Sequence, residues 1–206
     1  MTQRTTEEWV EILSKCGVRA VTGEVWAPYF SEVIDDNTFS AGPDELPDFL
    51  GQVLHESGML RKLEEDLSYS PERLMAVWPK RFPTLADARP YAFNPPKLAG
   101  KVYGSRLGNT EPGDGFKYRG SGLIMVTGRS NFQALEDSTG LPLVENPDLL
   151  RSPSADNLRV CISWWEGNVS DEALEDVVKV TREVNGGTVG LEDRTTLTNL
   201  AREALA

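Results

Sequence analysis

The sequence contains few histidines and cysteines and no long hydrophobic run. His55 is the only histidine, and the two cysteines, Cys16 and Cys161, lack the C-x-x-C spacing of a metal or redox site. A zinc-protease helix needs a second histidine four residues after the first, but Met59 occupies that position. Neither a Gly-x-Ser-x-Gly elbow nor a phosphate-binding loop occurs. These absences disfavour zinc-protease, serine-hydrolase and P-loop chemistry and predict two buried, reduced thiols.

Positive charge is also scarce. The 32 Asp and Glu residues outnumber the 21 Lys and Arg residues, which gives a formal net charge of −11. A field of this sign repels phosphate backbones and anionic lipids, so we expect neither a nucleic-acid partner nor stable membrane insertion. Residues 1–8 lack the apolar core of a signal peptide, and no apolar stretch approaches the ~18–20 residues of a membrane span. We therefore expect a protein without an export signal.

Apolar periodicity predicts a mainly α fold of one domain over residues 1–206. Hydrophobic residues make up 39% of the chain, and no repeat or linker divides it. Helical spacing or capping signals predict helices over 5–16, 25–33, 49–56, 71–78, 95–102, 132–139, 158–165, 174–184 and 197–200. Residues 104–122 have the glycine and charge content of a long loop. Residues 123–126 fit either a short strand or the start of a buried helix, so at most a small β element is expected.

Carboxylates are the remaining candidates for catalysis. Glu56 follows an apolar helical face and precedes Gly58, and partial desolvation at such a helix end favours a general acid. Glycoside hydrolysis needs a second carboxylate, and Glu64, Glu65 and Asp66 are all candidates from spacing alone. A continuous helix would place residue 65 on the face opposite residue 56. A shared site therefore requires the helix to end near Gly58 and the chain to turn back.

The segment that contains Glu56 has the sequence Phe49-Leu50-Gly51-Gln52-Val53-Leu54-His55-Glu56-Ser57-Gly58. This string resembles the catalytic segment of glycoside hydrolase family 19 in its short phage-endolysin form. Further similar segments keep the family's order, namely 63–70, 94–99, 102–103, 106–109, 113–120, 122–124, 127–132, 145–147, 181–182, 184–187 and 193–194. Together they span roughly residues 45–200.

The resemblance implies a lysozyme-like fold with two helical lobes around a substrate cleft and an inverting mechanism on β-1,4-linked N-acetylated glycans. Glu56 then corresponds to the general acid and Glu65 to the general base, with Thr127 helping to position the attacking water. An inverting pair is expected to stand about 6.5–9.5 Å apart. The substrate-binding residues implied beside them are His55, Tyr118, Arg119, Asn185 and Arg194. Arg194 is further expected to keep the base ionised.

Two positions depart from the family's usual Gly-Arg-Gly-Leu-Ile-Gln string. Ser121 and Met125 occupy the places of the arginine and the glutamine. A methionine donates no hydrogen bonds to an N-acetyl group, so weaker sugar binding or a different preferred glycan is expected on that side. A wall-binding protein that has lost catalysis is the corresponding alternative.

The function expected from the resemblance is that of an endolysin. Such a muramidase would cleave the bond between N-acetylmuramic acid and N-acetylglucosamine in peptidoglycan, as a monomer with no metal or organic cofactor. We expect a single catalytic domain without a separate wall-binding module. It would stay in the host cytoplasm until a separate pore protein of the holin type releases it to the cell wall. A chitinase, or a secreted antibacterial effector with the same chemistry, is the alternative.

Overall fold

The computed structural model describes residues 3–206, and their regular structure is almost entirely helical. The α-helices of this part are α1 (Thr6–Lys15), α2 (Ala20–Val33), α3 (Leu46–Glu56), α4 (Pro71–Val77), α5 (Leu85–Ala88), α6 (Pro95–Tyr103), α7 (Asp114–Lys117), α8 (Arg129–Thr139), α9 (Ala155–Asn168), α10 (Val177–Asn185) and α11 (Leu191–Leu205). Short 3₁₀ segments lie at Pro43–Glu45, Arg89–Tyr91, Pro147–Arg151 and Asp171–Ala173. The mainly α prediction is confirmed. No helix within 3–206 has the length and apolar character to cross a membrane.

Capping residues explain where several helices begin. The Thr5 side chain accepts the amide of Glu8, and the Glu8 carboxylate accepts the amide of Thr5, which completes a capping box before α1. Ser70 and Asn94 each accept the amide of the residue three positions later, and a proline follows each of them. The predicted starts of α1, α4 and α6 are therefore confirmed to within a residue.

Helix α2 starts earlier than predicted. It begins at Ala20, not near Val25, and Pro28 lies in its interior. Gly23 lies against Leu13 of α1, where an added Cβ would be 3.8 Å from the leucine side chain. The first turns of α2 therefore pack closely through a small residue. A helix prediction based on the spacing of large apolar residues does not detect a contact made by glycine.

Three other segments also differ from expectation. Helix α10 begins at Val177 because the carboxylate of Asp176 accepts the amides of Val178 and Lys179, which leaves Leu174 outside the helix. The stretch 104–122 contains the four-residue helix α7. Residues 123–126 form a turn that ends in an isolated bridge between Ser121 and Val126, neither a strand nor a helix.

Buried side chains in the part of the chain that the structure describes form three clusters. The segment between the two candidate carboxylates passes from the first cluster to the second. The first cluster joins α1, α2, α3, α9 and α11 and includes Leu63. The second consists of residues between Leu67 and Val102. The third surrounds Phe132 and Leu150. Glu56 ends a helix of the first cluster, and Glu65 lies in the chain between Leu63 of the first cluster and Leu67 of the second.

A small β element lies beside Glu65. Glu64 and Ser121 form one isolated antiparallel bridge, and Ser121 and Val126 form another. The Glu65 amide donates to the Gly120 carbonyl at 2.8 Å, and the Gly122 amide donates to the Leu63 carbonyl at 2.9 Å. This short ladder attaches the segment that carries Glu65 to the segment 120–127.

The two cysteines lie in the first cluster, buried and without a disulfide. Burial raises the pKa of Cys16 to about 11 and raises that of Cys161 further. Both thiols are therefore inert core residues at neutral pH, as predicted.

Candidate active site

Glu56 is the last residue of α3, where the chain reverses through a left-handed turn. Gly58, Met59 and Leu60 have φ values of 55°, 65° and 62°. The left-handed region is costly for residues with a side chain, so the surroundings must impose it. The Leu60 carbonyl accepts the indole N–H of Trp26 at 3.1 Å, and the Leu60 amide donates to the Ser57 hydroxyl at 2.8 Å. The predicted end of the helix near Gly58 is confirmed.

A buried arginine contacts the Glu56 carboxylate. Arg194, on α11, is 1% exposed, and its Nη2 donates to Oε1 of Glu56. Its Nη1 donates to Oε1 of Gln52, and its Nε donates to the Val189 carbonyl at 3.1 Å. The Gln52 amide in turn donates to the Thr181 hydroxyl at 3.3 Å. This network fixes one oxygen of Glu56 relative to α10 and α11, while about a quarter of the Glu56 side chain remains exposed.

This pairing corrects one expectation from the sequence. Arg194 was expected to stabilise the ionised base, but its guanidinium binds the candidate acid Glu56. The reason is the packing of α11 along α3, which places Arg194 beside Gln52 and Glu56. These two residues are four positions apart on α3 and therefore lie on one helix face.

His55 forms a second contact between the same two helices. Its Nδ1 lies 2.6 Å from Oδ2 of Asp193, the residue before Arg194. Its ring packs against Gly190, where an added Cβ would lie 2.3 Å from the imidazole. Gly190 also has a φ of 73°, so both the limited space beside its Cα and its left-handed backbone conformation favour glycine. His55 is therefore placed to orient the end of α3 beside the candidate acid.

Glu65 has a different set of partners. Oε1 accepts the Tyr103 hydroxyl at 2.6 Å, and Oε2 accepts the Gly120 amide at 3.3 Å. Burial, followed by the hydrogen bond to Glu65, raises the pKa of Tyr103 above its ordinary range. The phenol therefore stays protonated and remains a hydrogen-bond donor to this carboxylate. Burial and the charge of Glu65 also raise the pKa of Tyr69.

The structure distinguishes the three candidates for the second carboxylate. Glu64 is paired with Arg119, whose Nε and Nη2 lie 2.6 and 2.5 Å from its Oε1. Asp66 is exposed, and its Oδ1 accepts the amide of Ser68 two residues later. Glu65 alone of the three is half-buried and hydrogen-bonded to neutral donors. A carboxylate that is oriented but not neutralised by a cation suits a general base.

Thr127 and Glu65 lie on either side of Gly120. A Cβ added at Gly120 would be 3.4 Å from both Oε2 of Glu65 and Oγ1 of Thr127. The Thr127 hydroxyl donates to the Met125 carbonyl at 2.9 Å, which leaves its lone pairs available to a water. Glycine at position 120 therefore keeps open the space between the candidate base and the hydroxyl.

A groove of about 350 Å³ opens beside the candidate base. Its lining residues are Glu64, Glu65, Asp66, Leu67, Pro95, Phe116 and Arg119. The Arg119 guanidinium lies 4.1 Å from the centre of the Phe116 ring, and its Nη1 donates to the Phe116 carbonyl. Arg119 is therefore a rigid polar element of the groove, consistent with its expected position beside a substrate.

Two predicted substrate residues lie elsewhere. Tyr118 is 1% exposed in the third cluster, and its hydroxyl donates to the Val144 carbonyl at 3.0 Å. A side chain without exposed surface does not contact a glycan, so its position differs from the expectation of substrate contact. Asn185, the last residue of α10, is exposed and precedes the left-handed Gly186. Within residues 3–206, its side chain forms no hydrogen bond with Glu56 or Glu65.

The two departures from the family string have defined surroundings. Ser121 is fully buried, and its hydroxyl accepts Nε of Arg151 at 3.0 Å while donating to the Arg119 carbonyl. Nη2 of Arg151 donates to the Lys117 carbonyl at 2.6 Å. The backbone of Met125 has a left-handed conformation, with a φ of 54°. A guanidinium is thus present beside Ser121, although it comes from the 3₁₀ segment Pro147–Arg151.

Comparison with known sequences gives the family. No family model matches the chain. A protein of Haemophilus influenzae, described as a glycosyl hydrolase family 19 domain-containing protein, is 36% identical over 148 residues, which are 71% of this chain and 72% of that protein. The chain belongs to glycoside hydrolase family 19. Chitinase 8 of Oryza sativa subsp. japonica is 42% identical over 48 residues, which are 23% of this chain and 18% of the rice protein.

Solved structures show the fold of this family 19 hydrolase. Chitinase C from Streptomyces griseus HUT6037 superposes with a TM-score of 0.58 at 16% identity, over 99% of this chain and 94% of the other. A mutant of chitinase C superposes with a TM-score of 0.52 over 96% and 91%. The resemblance to family 19 and the lysozyme-like, mainly α fold are confirmed, and the protein is a glycoside hydrolase.

Sequence reasoning missed several residues of the candidate site. Gln52 and Tyr103 lie inside the segments that carried the resemblance, but no role was assigned to them. Gln52 is four residues before Glu56, and this spacing was a usable signal that both face the same partner. Tyr103 is 38 residues from Glu65, and Arg151 is 30 residues from Ser121. Contacts at such separations follow from the fold and have no local signature.

Proposed function

We propose that this hydrolase cleaves the β-1,4 bond between N-acetylmuramic acid and N-acetylglucosamine in bacterial peptidoglycan, as an endolysin does. The observation that supports the hydrolytic part is the difference between the hydrogen-bond partners of two carboxylates. Glu56 contacts a buried guanidinium, and Glu65 accepts hydrogen bonds from a phenol and a backbone amide. The choice of peptidoglycan is supported by the resemblance to the short endolysin form.

The proposed reaction is a single displacement. Glu56, protonated before the reaction, donates its proton to the glycosidic oxygen as the bond to the anomeric carbon breaks. Glu65 removes a proton from a water that attacks the anomeric carbon from the opposite face. The water oxygen becomes the new anomeric hydroxyl with inverted configuration. Exchange with solvent then returns a proton to Glu56 and removes one from Glu65.

The surrounding residues support these roles. Thr127 faces the same space beside Gly120 as Oε2 of Glu65, which is where a water bound to both would lie. Tyr103 orients Glu65 through Oε1 and leaves Oε2 for this water. Arg194 and Gln52 orient the acid, and Arg194 would stabilise the carboxylate that Glu56 becomes after donating its proton.

Chitin is the second candidate substrate. The observation in its favour is that the rice relative and the Streptomyces griseus structure are both named chitinases. The bond cleaved in chitin has the same β-1,4 geometry and the same N-acetyl groups, so the two-carboxylate chemistry would be unchanged.

One experiment separates the candidates. Reducing ends released from purified Gram-negative peptidoglycan and from chitin oligomers are measured for the wild type, Glu56→Gln and Glu65→Gln. The control is Glu11→Gln, an exposed carboxylate on α1 that pairs with Lys15. Release from peptidoglycan that both site variants abolish supports the muramidase, and release from chitin alone supports the chitinase. If neither substrate is cut, a glycan-binding protein without catalysis replaces the proposal.

Stereochemistry gives an independent test of the mechanism. NMR spectra recorded within minutes of cleavage show the α-anomer first if a β-linked substrate is hydrolysed with inversion. Initial formation of the β-anomer would contradict the roles given to Glu65 and its water.

A further inference from the structure

Phe93 combines an exposed aromatic ring with a strained backbone. Its side chain is 67% exposed, and its φ of 52° lies in the left-handed region. It occupies the turn between the 3₁₀ segment Arg89–Tyr91 and helix α6. In the second cluster, Phe82 is fully buried, and Tyr69, Trp78 and Tyr91 are partly buried.

Folding alone does not explain a phenylalanine at this position. A left-handed conformation is costly for an L-residue with a bulky side chain, whereas glycine adopts it freely and asparagine at lower cost. A strained aromatic side chain in a protein core is compensated by burial, but the Phe93 ring remains mostly in water. The benefit of the ring is therefore expected to come from something that binds to the surface.

The turn that carries Phe93 lies next to the groove beside Glu65. The Phe93 amide donates to the Tyr69 carbonyl at 3.0 Å, and Tyr69 follows Glu65 by four residues. Pro95, two residues after Phe93, lines the groove together with Glu65 and Arg119. The backbone hydrogen bond fixes the turn relative to the segment that carries the candidate base.

We propose that Phe93 is a stacking platform for one sugar ring of the bound glycan, beyond the groove that contains Glu65. The inference rests on the proposed function, because it assigns the platform to the same glycan. The apolar C–H face of an N-acetylated pyranose would pack on the phenyl ring, while the groove residues Glu64, Asp66 and Arg119 bind the polar hydroxyl and acetamido groups of the neighbouring sugar. A rigid turn presents the ring without the entropy cost of ordering a flexible loop.

Glycan length gives this platform a measurable effect. A sugar ring that extends past the groove reaches Phe93, whereas a short oligosaccharide that fills only the groove does not. Phe93 therefore contributes to the binding of long chains and takes no part in the transfer of protons.

The test measures binding separately from catalysis. Chitin di- and hexasaccharides and soluble peptidoglycan fragments are titrated by calorimetry into Glu56→Gln, Glu56→Gln/Phe93→Gly and Glu56→Gln/Phe93→Tyr. Glycine suits the left-handed turn, so the glycine variant is expected to fold at least as stably. Val21→Ala, which trims a 75% exposed residue on α2, is the matched control.

We expect Phe93→Gly to weaken the binding of long glycans by about five- to tenfold, with Phe93→Tyr and Val21→Ala within twofold of the parent. In the active enzyme, the same change should raise KM for long substrates and lower kcat by less than twofold. Equal affinity of Phe93→Gly and the parent for long glycans overturns the platform while the proposed function stands. A chain that neither binds nor cuts any of these glycans overturns the proposed function and this inference together.

Discussion

At the scale of single residues, the two carboxylates differ in the charge of their partners. Glu56 receives hydrogen bonds from a cation, whereas Glu65 receives them from the neutral Tyr103 hydroxyl and the Gly120 amide. An acid and a base in one inverting site must change protonation in opposite directions during the reaction. The cation beside Glu56 would stabilise the charge that this carboxyl group carries after it has donated its proton.

Tyr103→Phe tests the orientation of the base. The variant removes the 2.6 Å hydrogen bond to Glu65 but keeps the packing of the ring against the second cluster. A hydrogen bond to a charged group contributes about 1.5–3 kcal/mol, so we expect kcat to fall roughly 10- to 100-fold with little change in KM. Steady-state kinetics measure this, with Tyr29→Phe on α2 as the control. A change in KM alone would contradict an orienting role.

Gly120→Ala tests the space between Glu65 and Thr127. The added methyl would lie 3.0 Å from Cβ of Glu65 and 3.4 Å from the Thr127 hydroxyl. Because misplacing a reacting group by about 1 Å can cost on the order of 100-fold, we expect a loss of that size in kcat. Gly100→Ala is the control, since a Cβ there meets nothing within 4 Å and should stabilise α6 by about 0.5–1 kcal/mol. Equal activities of the two variants would refute the argument.

At the scale of helices, the sequence predicts most of the elements but few of their contacts. Caps and periodicity identified α1, α3, α4 and α6 because those signals lie within a few residues of the helix ends. The early start of α2 and the pairing of Arg194 with Glu56 were not predicted. Both involve the packing of one helix against another. In the first case, Gly23 of α2 packs against α1, and in the second, α11 packs against α3.

In the candidate site too, the sequence predicts motif residues better than it predicts their contacts. The resemblance assigned catalytic roles to Glu56, Glu65 and Thr127 from motifs, and the fold places Glu65 and Thr127 around Gly120. Tyr118 was expected at the substrate, but it is part of the third cluster because its ring packs 5.4 Å from Phe132. Whether an aromatic side chain in a motif faces a core or a groove depends on the elements that cover it, and these come from distant parts of the chain.

Gly51→Ala tests the close approach of α3 and α11. An added Cβ would lie 2.0 Å from Oγ1 and 2.9 Å from Cα of Thr198, so one helix must move. Overpacking of this kind typically costs about 1–3 kcal/mol. We also expect kcat to fall, because Arg194 on α11 would shift relative to Glu56. Urea unfolding and kinetics measure both effects, and Gly167→Ala on α9, where a Cβ meets nothing, is the control. A fully active, fully stable Gly51→Ala would show that the helices do not need this contact.

At the scale of the whole molecule, buried acids make stability depend on pH. Burial raises the pKa of Glu45 above 4.5 and that of Asp48 above 3.8, although Trp165, Glu175 and Arg202 donate hydrogen bonds to these carboxylates. The folded state therefore binds these protons more tightly than the unfolded state does. Their contribution to stability is greatest below pH 3.8 to 4.5 and is lost as the pH rises through the raised values.

Glu45→Gln should flatten part of this dependence. Glutamine retains an oxygen for the Trp165 indole but does not titrate. The unfolding free energy of the variant should therefore decline less than that of the wild type as the pH rises above 4.5. Urea unfolding at four pH values between 4 and 7 measures the difference. Glu24→Gln, at an exposed site on α2, is the control and should parallel the wild type. Parallel curves for Glu45→Gln and the wild type would exclude Glu45 as a source of the slope.

The left-handed turn after α3 has a consequence for how such an enzyme can be modified or evolve. Both carboxylates come from one short stretch of chain, 56–65, and the turn within it is attached to Trp26 and Ser57 in the large hydrophobic core. Insertions into loops far from this stretch, such as the left-handed turn at Gly140, leave the segment that joins Glu56 to Glu65 unchanged. Under the proposed roles, substrate preference can diversify through residues such as Phe93 while Glu56 and Glu65 are inherited together on one segment.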